Sequence, residues 1–201
     1  TGNATTAFIV MRRTADTTNY ARSLSFVGPS SNTDYNSNAN WCLDNNSSGF
    51  TMYVERNGGH SQGALPAVNT AYIAEVVFDG TNCTTYVNGQ LQGTAFSSTG
   101  NFNINQMAVG AGIANGTAPY AGLTGDVGEV ILYNRALNAS EMQTIEYYLG
   151  QKWGVSTPAP AGPPVAGAQV WLDATQNASV LNGSGTQASS GQSVGTWSNK
   201  A

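Results

Sequence analysis

The carboxylates are the first place to look for chemistry, because glycosidic hydrolysis is carried out by two of them held about 5 to 9.5 Å apart. On an extended strand such a pair is written as acidic residues two apart, on one face. No two acidic residues of this chain have that spacing. Glu75 and Asp79 are four apart, with Asp79 at a turn, and Asp126 and Glu129 are three apart, which puts them on opposite faces of a strand. They read as turn and edge carboxylates. His60, the sole histidine, lies in the Gly-rich stretch 57–63. A nucleophile relay would need an oriented Ser or Cys beside it, and the reading is a solvated loop side chain. The expectation is a protein that is not an enzyme, with no catalytic residues.

Cys42 and Cys83 are the only thiols, and without further Cys or His companions they cannot complete a tetrahedral zinc site. Two readings stay open: a disulfide, which needs Cα atoms within about 7 Å, or two separate buried thiols. Asn-X-Ser/Thr sequons begin at Asn3, Asn45, Asn46, Asn82, Asn115, Asn138, Asn177 and Asn182. They permit glycans in an exported glycoprotein, although so Asn- and Thr-rich a chain produces several by chance.

The elements that must hold these residues follow from composition and period. Only 9% of the 201 residues are charged and 24 are glycine, a balance that suits short strands joined by polar turns. The net charge is −4 and the densest positive spot is the Arg12–Arg13 pair, so no basic stripe exists for a phosphate backbone and nucleic acid is excluded as a partner. No apolar run approaches the roughly 20 residues that span a bilayer, so membrane insertion is not expected. The expected chain is soluble and secreted, with its export signal already removed.

Strands are predicted at residues 6–13 (TAFIVMRR), 23–27, 41–43, 50–56, 71–79, 83–87, 106–111 and 127–134, separated by turn clusters. Residues 28–40 read as a long surface loop. In FTMYVER, Phe50, Met52 and Val54 share one face, and Thr51, Tyr53 and Glu55 share the other. Asn57-Gly58-Gly59 and Asn88-Gly89 mark tight turns, the latter a strong hairpin signal. One segment has helical period: Met142, Ile145, Leu149 and Trp153 recur at steps of three and four over residues 138–152. Asn138 is placed to cap, Glu141 follows three later, and Gly154 is placed to stop the helix. Residues 155–164 are a Pro/Gly-rich linker. The last 37 residues are too poor in apolar side chains to form a core alone.

Residues 125–154, GDVGEVILYNRALNASEMQTIEYYLGQKWG, resemble the closing strand and C-terminal helix of laminin-G-like, concanavalin A-like jelly-roll domains of the bacterial extracellular type. Residues 78–93, FDGTNCTTYVNGQLQG, resemble their central hairpin, and the resemblance covers most of residues 1–154. The tail, VWLDATQNASV at 170–180 with VGTWSNKA at 194–201, resembles the opening of the same domain, which normally precedes a strand like that at residues 7–13. The family segments thus run in circularly inverted order.

The resemblance implies an all-β antiparallel jelly-roll sandwich with one short C-terminal amphipathic helix and an extended tail strand. It implies a domain over 1–154 that lacks its first strand, a linker over 155–164 and a donor-type tail over 165–201. The leading expectation is an extracellular or cell-surface structural subunit. Its tail strand, Val170, Trp171, Leu172 and Asp173, inserts into a neighbouring copy by donor-strand complementation and builds a head-to-tail homopolymer filament. The alternative is a carbohydrate-binding adhesion module (an adhesin), circularly permuted or cut from a tandem repeat. Sugar contacts implied by the resemblance fall on Tyr20, Tyr35, Trp41 and Tyr120, as aromatics that stack on sugar rings. No cofactor is required. Calcium is a family habit, for which Asp16, Asp34, Asp44 and Asp126 are the candidate donors, without a spaced ligand loop.

Overall fold

The strand at Ala4–Arg13 (β1) is buried without interruption from Thr6 to Met11, so both of its faces are covered. That is why its sequence is a continuous apolar run and not an alternation. Even and odd positions serve different layers. Ala7, Ile9 and Met11 belong to the central core, while Phe8 and Val10 belong to a second cluster on the opposite side.

The computed structural model describes residues 2–29, 33–46, 51–114, 117–160, 180–182 and 194–197. After β1 come Ala21–Val27 (β2), Trp41–Asn46 (β3), Thr51–Arg56 (β4), Gly59–Ala64 (β5), Ala71–Asp79 (β6), Asn82–Val87 (β7) and Gln90–Ser97 (β8). Then follow Gln106–Val109 (β9), Gly112–Ala114 (β10), Thr117–Tyr120 (β11), Gly125–Tyr133 (β12) and the helix Ala139–Trp153 (α1). Val180–Asn182 (β13) pairs antiparallel with Val194–Trp197 (β14). The chain divides into two compact units, Thr1–Pro158 and Ala159–Ala201.

Two antiparallel five-stranded sheets form the first unit, β12-β1-β6-β7-β8 (sheet 1) and β5-β4-β3-β2-β9 (sheet 2). Between them lies the main core, which includes Ile9, Leu24, Trp41, Leu43, Tyr72 and Phe78. The outer face of sheet 1 is covered by α1, where Met142 and Leu149 pack on Phe8, Val10, Ile73 and Val77. The helix starts and stops as the sequence predicts. Asn138 and Glu141 form a capping box, and Gly154 adopts φ 67° while its N–H bonds the Gly150 carbonyl. Trp153, expected on the buried face, is 40% exposed and donates from Nε1 to Glu129 at 2.8 Å.

Residues 59–64 correct the sequence reading. The Gly-rich stretch 57–63 has the composition of a turn, yet GHSQGA is an edge strand paired to β4, and Asn57 and Gly58 turn the chain at φ 48° and 78°. A Cβ at Gly59 would meet the Phe96 ring at 2.6 Å and one at Gly63 would meet Gln92 at 2.3 Å. The glycines therefore permit close packing of β5 on β8.

A charge pair lies in the helix interface. Glu75 of β6 is fully buried beneath α1, accepts from the Gly89 N–H at 2.9 Å, and faces Glu146, itself 5% exposed. Burial, followed by the hydrogen bond to and the charge of Glu146, raises the Glu75 pKa to about 9. A proton held there supplies the donor that Glu75 Oε2 otherwise lacks. The unfolded chain loses this proton near its ordinary value of 4.5, so the folded state binds more protons between 4.5 and about 9, and stability falls as pH rises through that window. Urea denaturation at about pH 5.5 and about pH 8.5 is expected to show lower stability at the higher pH. Glu75→Gln, neutral at both, is expected to narrow the difference, and the remainder belongs to Asp44, whose pKa burial raises to about 8.

Candidate functional site

Among the described residues no helix lies on the outer face of sheet 2. The two-residue period that sends Leu24, Phe26, Leu43, Met52 and Val54 inward sends Ser25, Asp44, Tyr53 and Glu55 outward. A segment containing Asp34 and the β10–β11 hairpin lie over part of this face: the Ile113 N–H and the Tyr120 hydroxyl both donate to Asp34, at 3.4 and 3.1 Å. Beside them opens a cavity of about 500 Å³, lined by Tyr20, Arg22, Tyr35, Glu55 and Tyr120 among others. That volume is in the range of small-ligand sites.

Arg22 is the hub. Only 3% exposed, it donates from Nε to Asp34 at 3.2 Å and from Nη1 to Asp44 at 2.6 Å and the Tyr20 carbonyl at 3.2 Å. From Nη2 it donates to Asp34 at 3.3 Å and Glu55 at 3.5 Å. Its guanidinium carbon lies 5.6 Å from the centre of the Tyr35 ring and 5.8 Å from that of Tyr120. Burial raises the Asp44 pKa to about 8, against the opposing effect of Arg22, and Glu55 is raised for the same first reason.

The aromatic rim continues beyond the cavity. Tyr20 packs edge-on against Tyr53 at 5.7 Å, and Tyr53 stacks on His60 at 4.8 Å. Tyr20 and Tyr35 are 38% and 39% exposed. Two non-glycine residues at the rim, Tyr20 and Ala121, hold φ of 54° and 42°. This is backbone strain of the kind that gathers at functional sites.

Of the four aromatics singled out in the sequence, the structure brings Tyr20, Tyr35 and Tyr120 to one cavity. Trp41 does not join them: it is 1% exposed in the core, stacked on Phe26 at 4.3 Å. Glu55, Tyr53 and His60 were missed as neighbours of this site. Their signal was the outward face of β4, with His60 brought opposite Glu55 by the strand that was read as a turn.

The disulfide reading is corrected, since both cysteines are free and buried. Cys83 lies in the central core from β7 of sheet 1, whereas Cys42 alternates with core residues Trp41 and Leu43 and so faces outward from sheet 2, its Sγ 3.8 Å from Asp44. A whole sheet separates the two side chains. Among the sequons, Asn3, Asn82 and Asn138 are exposed, whereas Asn45 is 2% exposed and donates to Asp16. Asn46 and Asn182 lie in β3 and β13. Asn115, Asn177 and Val170 to Asp173 fall outside the described residues.

The calcium candidates do not converge on a cage. Asp34 and Asp44 pair with Arg22, Asp16 with Arg13 and Asp126 with Arg12. Ligand atoms of Cys42, Asp44 and Glu55 do lie within 4.8 Å of one another. Arg22 already bonds both of these carboxylates, so its guanidinium takes the cation's place. The residues present do not fit a calcium ion. The acidic pairs weighed in the sequence prove structural: Asp79 caps its turn through the Thr81 and Asn82 N–H groups, Asp126 pairs with Arg12, and Glu129 pairs with Lys152.

A laminin G-like model of the concanavalin A-like lectin/glucanases superfamily matches residues 1–143. No curated protein sequence matches the chain. Among solved structures, Trypanosoma rangeli sialidase aligns at TM-score 0.56 and 16% identity, over 74% of this chain and 23% of that one. The chain thus spans about a quarter of the sialidase. A heptameric SAP-like pentraxin from Limulus polyphemus aligns at TM-score 0.53 and 16% identity, over 72% and 70% of the two chains. The Ruminococcus gnavus IT-sialidase CBM40 aligns at TM-score 0.53 and 17% identity, over 69% and 80%, and a structure of that module bound to α2,3-sialyllactose matches similarly. These likenesses establish a jelly-roll fold.

Because Arg22 satisfies two fully buried carboxyl groups at once, Arg22→Leu is expected to destabilise the protein by about 3–5 kcal/mol, read by urea denaturation at neutral pH.

Proposed function

The chain belongs to the concanavalin A-like lectin/glucanases superfamily, and from that premise we propose that it is a carbohydrate-binding module whose site is the tyrosine-lined cavity on the outer face of sheet 2. The observation that carries this reading is the convergence of Tyr20, Tyr35 and Tyr120, from three separate stretches of sequence, around one cavity beside an accessible carboxyl group, Glu55. Sugar rings offer apolar C–H faces to aromatic rings and hydroxyls to polar groups at the rim. The sialyllactose-bound neighbour shares this fold and supports the same class of ligand.

Binding without hydrolysis is the part of the proposal that concerns mechanism. A glycosidase needs two carboxyl groups that reach the scissile bond. Here Asp34 and Asp44 are 0% and 2% exposed and bonded to Arg22, which leaves Glu55 as the one carboxyl group among the lining residues. The site we assign is cell-surface or extracellular. Support comes from the low charge and the exposed sequons at Asn3, Asn82 and Asn138. Among the described residues no helix is long and apolar enough to cross a membrane.

A second reading, self-assembly by strand insertion, has an observation of its own. Met107, Val109 and Leu132 stand opposite the core residues Phe26, Leu24 and Ala7, so they occupy inward-facing positions, yet they are 49%, 42% and 41% exposed. They lie on β9 and β12, which among the described residues are the outermost strands of their sheets at the end of the sandwich away from β5 and β8. One added strand would cover them and pair a free edge. Val170, Trp171 and Leu172 of a second copy are the apolar stretch of sequence assigned to that place.

Alanine at Tyr20 and Tyr35 together is expected to abolish glycan-array binding while leaving the circular dichroism spectrum unchanged; retained binding would remove the cavity from consideration. Light scattering of the intact chain is expected to show species larger than a monomer that Trp171→Asp returns to monomers, and a monodisperse intact monomer would end the assembly reading.

A further inference from the structure

We infer that the cavity selects neutral sugars and turns away anionic ones, in contrast to the sialylated ligand of the structurally similar module. The inference rests on the carbohydrate-binding reading and concerns its ligand class.

Arg22 is the one cation among the residues that line the cavity, and recognition of a sugar carboxylate would need N–H groups from it. A guanidinium has five N–H groups. Each has an acceptor within the protein: Asp34 at Nε, Asp44 and the Tyr20 carbonyl at Nη1, and Asp34 again with Glu55 at Nη2. The side chain is 3% exposed. A ligand carboxylate could reach it only by displacing a protein acceptor, and it would then lie beside the carboxyl groups of Asp34, Asp44 and Glu55. Three acidic groups surround one base, so no positive potential is left over for the cavity.

The other described cations are committed elsewhere. Arg12 pairs with Asp126, Arg13 with Asp16, Arg135 with Glu141 and Lys152 with Glu129, while Arg56 bonds the Asn38 and Gly100 carbonyls and Ser98. The cavity is lined by the partly exposed Tyr20 and Tyr35 and by an acceptor at Glu55, which is 22% exposed. Neutral hydroxyls donate to a carboxylate, and sugar C–H faces stack on the rings. That combination fits a neutral hexose and opposes a sialic or uronic acid.

Isothermal titration calorimetry of the full chain tests this with matched probes: lactose, cellotriose and mannotriose against α2,3-sialyllactose and digalacturonate. The expected result is that at least one neutral probe binds about tenfold or more tightly than either anionic probe. Tyr20→Ala is expected to remove that binding, and Glu55→Gln to narrow the preference. Tighter binding of sialyllactose or digalacturonate at a Tyr20-dependent site overturns the neutral-sugar inference and leaves the carbohydrate reading standing. No heat from any probe, with a glycan array also blank, overturns the carbohydrate reading itself. Neutral binding that survives Tyr20→Ala and Tyr35→Ala together overturns the placement of the ligand in this cavity.

Discussion

The guanidinium of Arg22, buried between three carboxyl groups, is the interaction on which one whole side of this molecule depends. It joins β2 to β3 through Asp44, to β4 through Glu55, and to the covering segment through Asp34, which in turn receives the Ile113 N–H and the Tyr120 hydroxyl. Burying a charge is costly unless its partners are complete. Here each N–H of Arg22 has an acceptor, while the buried Asp44 Oδ1 has no partner among the described residues. The cavity opens beside this network.

The two sheets solve the problem of their outer faces differently. Sheet 1 is covered by an apolar interface with α1, interrupted by the Glu75–Glu146 contact, and a cavity of about 340 Å³ remains beside Trp153. Sheet 2 is covered in part by polar groups and loops around Arg22, and what they do not cover is lined by tyrosines. The tyrosine-lined cavity lies on sheet 2, and the strained Tyr20 and Ala121 stand at its rim.

Much of the fold is legible in the residues themselves. Residues 6–13 read as a strand, Asn88-Gly89 as a hairpin turn, and Asn138, Glu141 and Gly154 as the limits of one helix, and the structure has each of them. β5 was not legible, because glycines chosen for close approach to Phe96 and Gln92 look like turn residues when read alone. The site was half legible: three of its tyrosines stood out as loop aromatics. Trp41 looked equivalent in sequence and is core, since its strand turns that position inward against Phe26.

The amino-acid sequence by itself determined the layer class. Period, turn residues and sparse charge dictate an antiparallel sandwich with one helix. These properties are local or additive, so they survive without coordinates. Only the tertiary structure decided that Cys42 and Cys83 face different layers, that Asp34, Asp44 and Glu55 meet on one arginine, and that Tyr20, Tyr35 and Tyr120 share a cavity. Those are contacts between residues distant along the chain. They are set by strand order and register, which hydrophobic pattern restricts but does not choose.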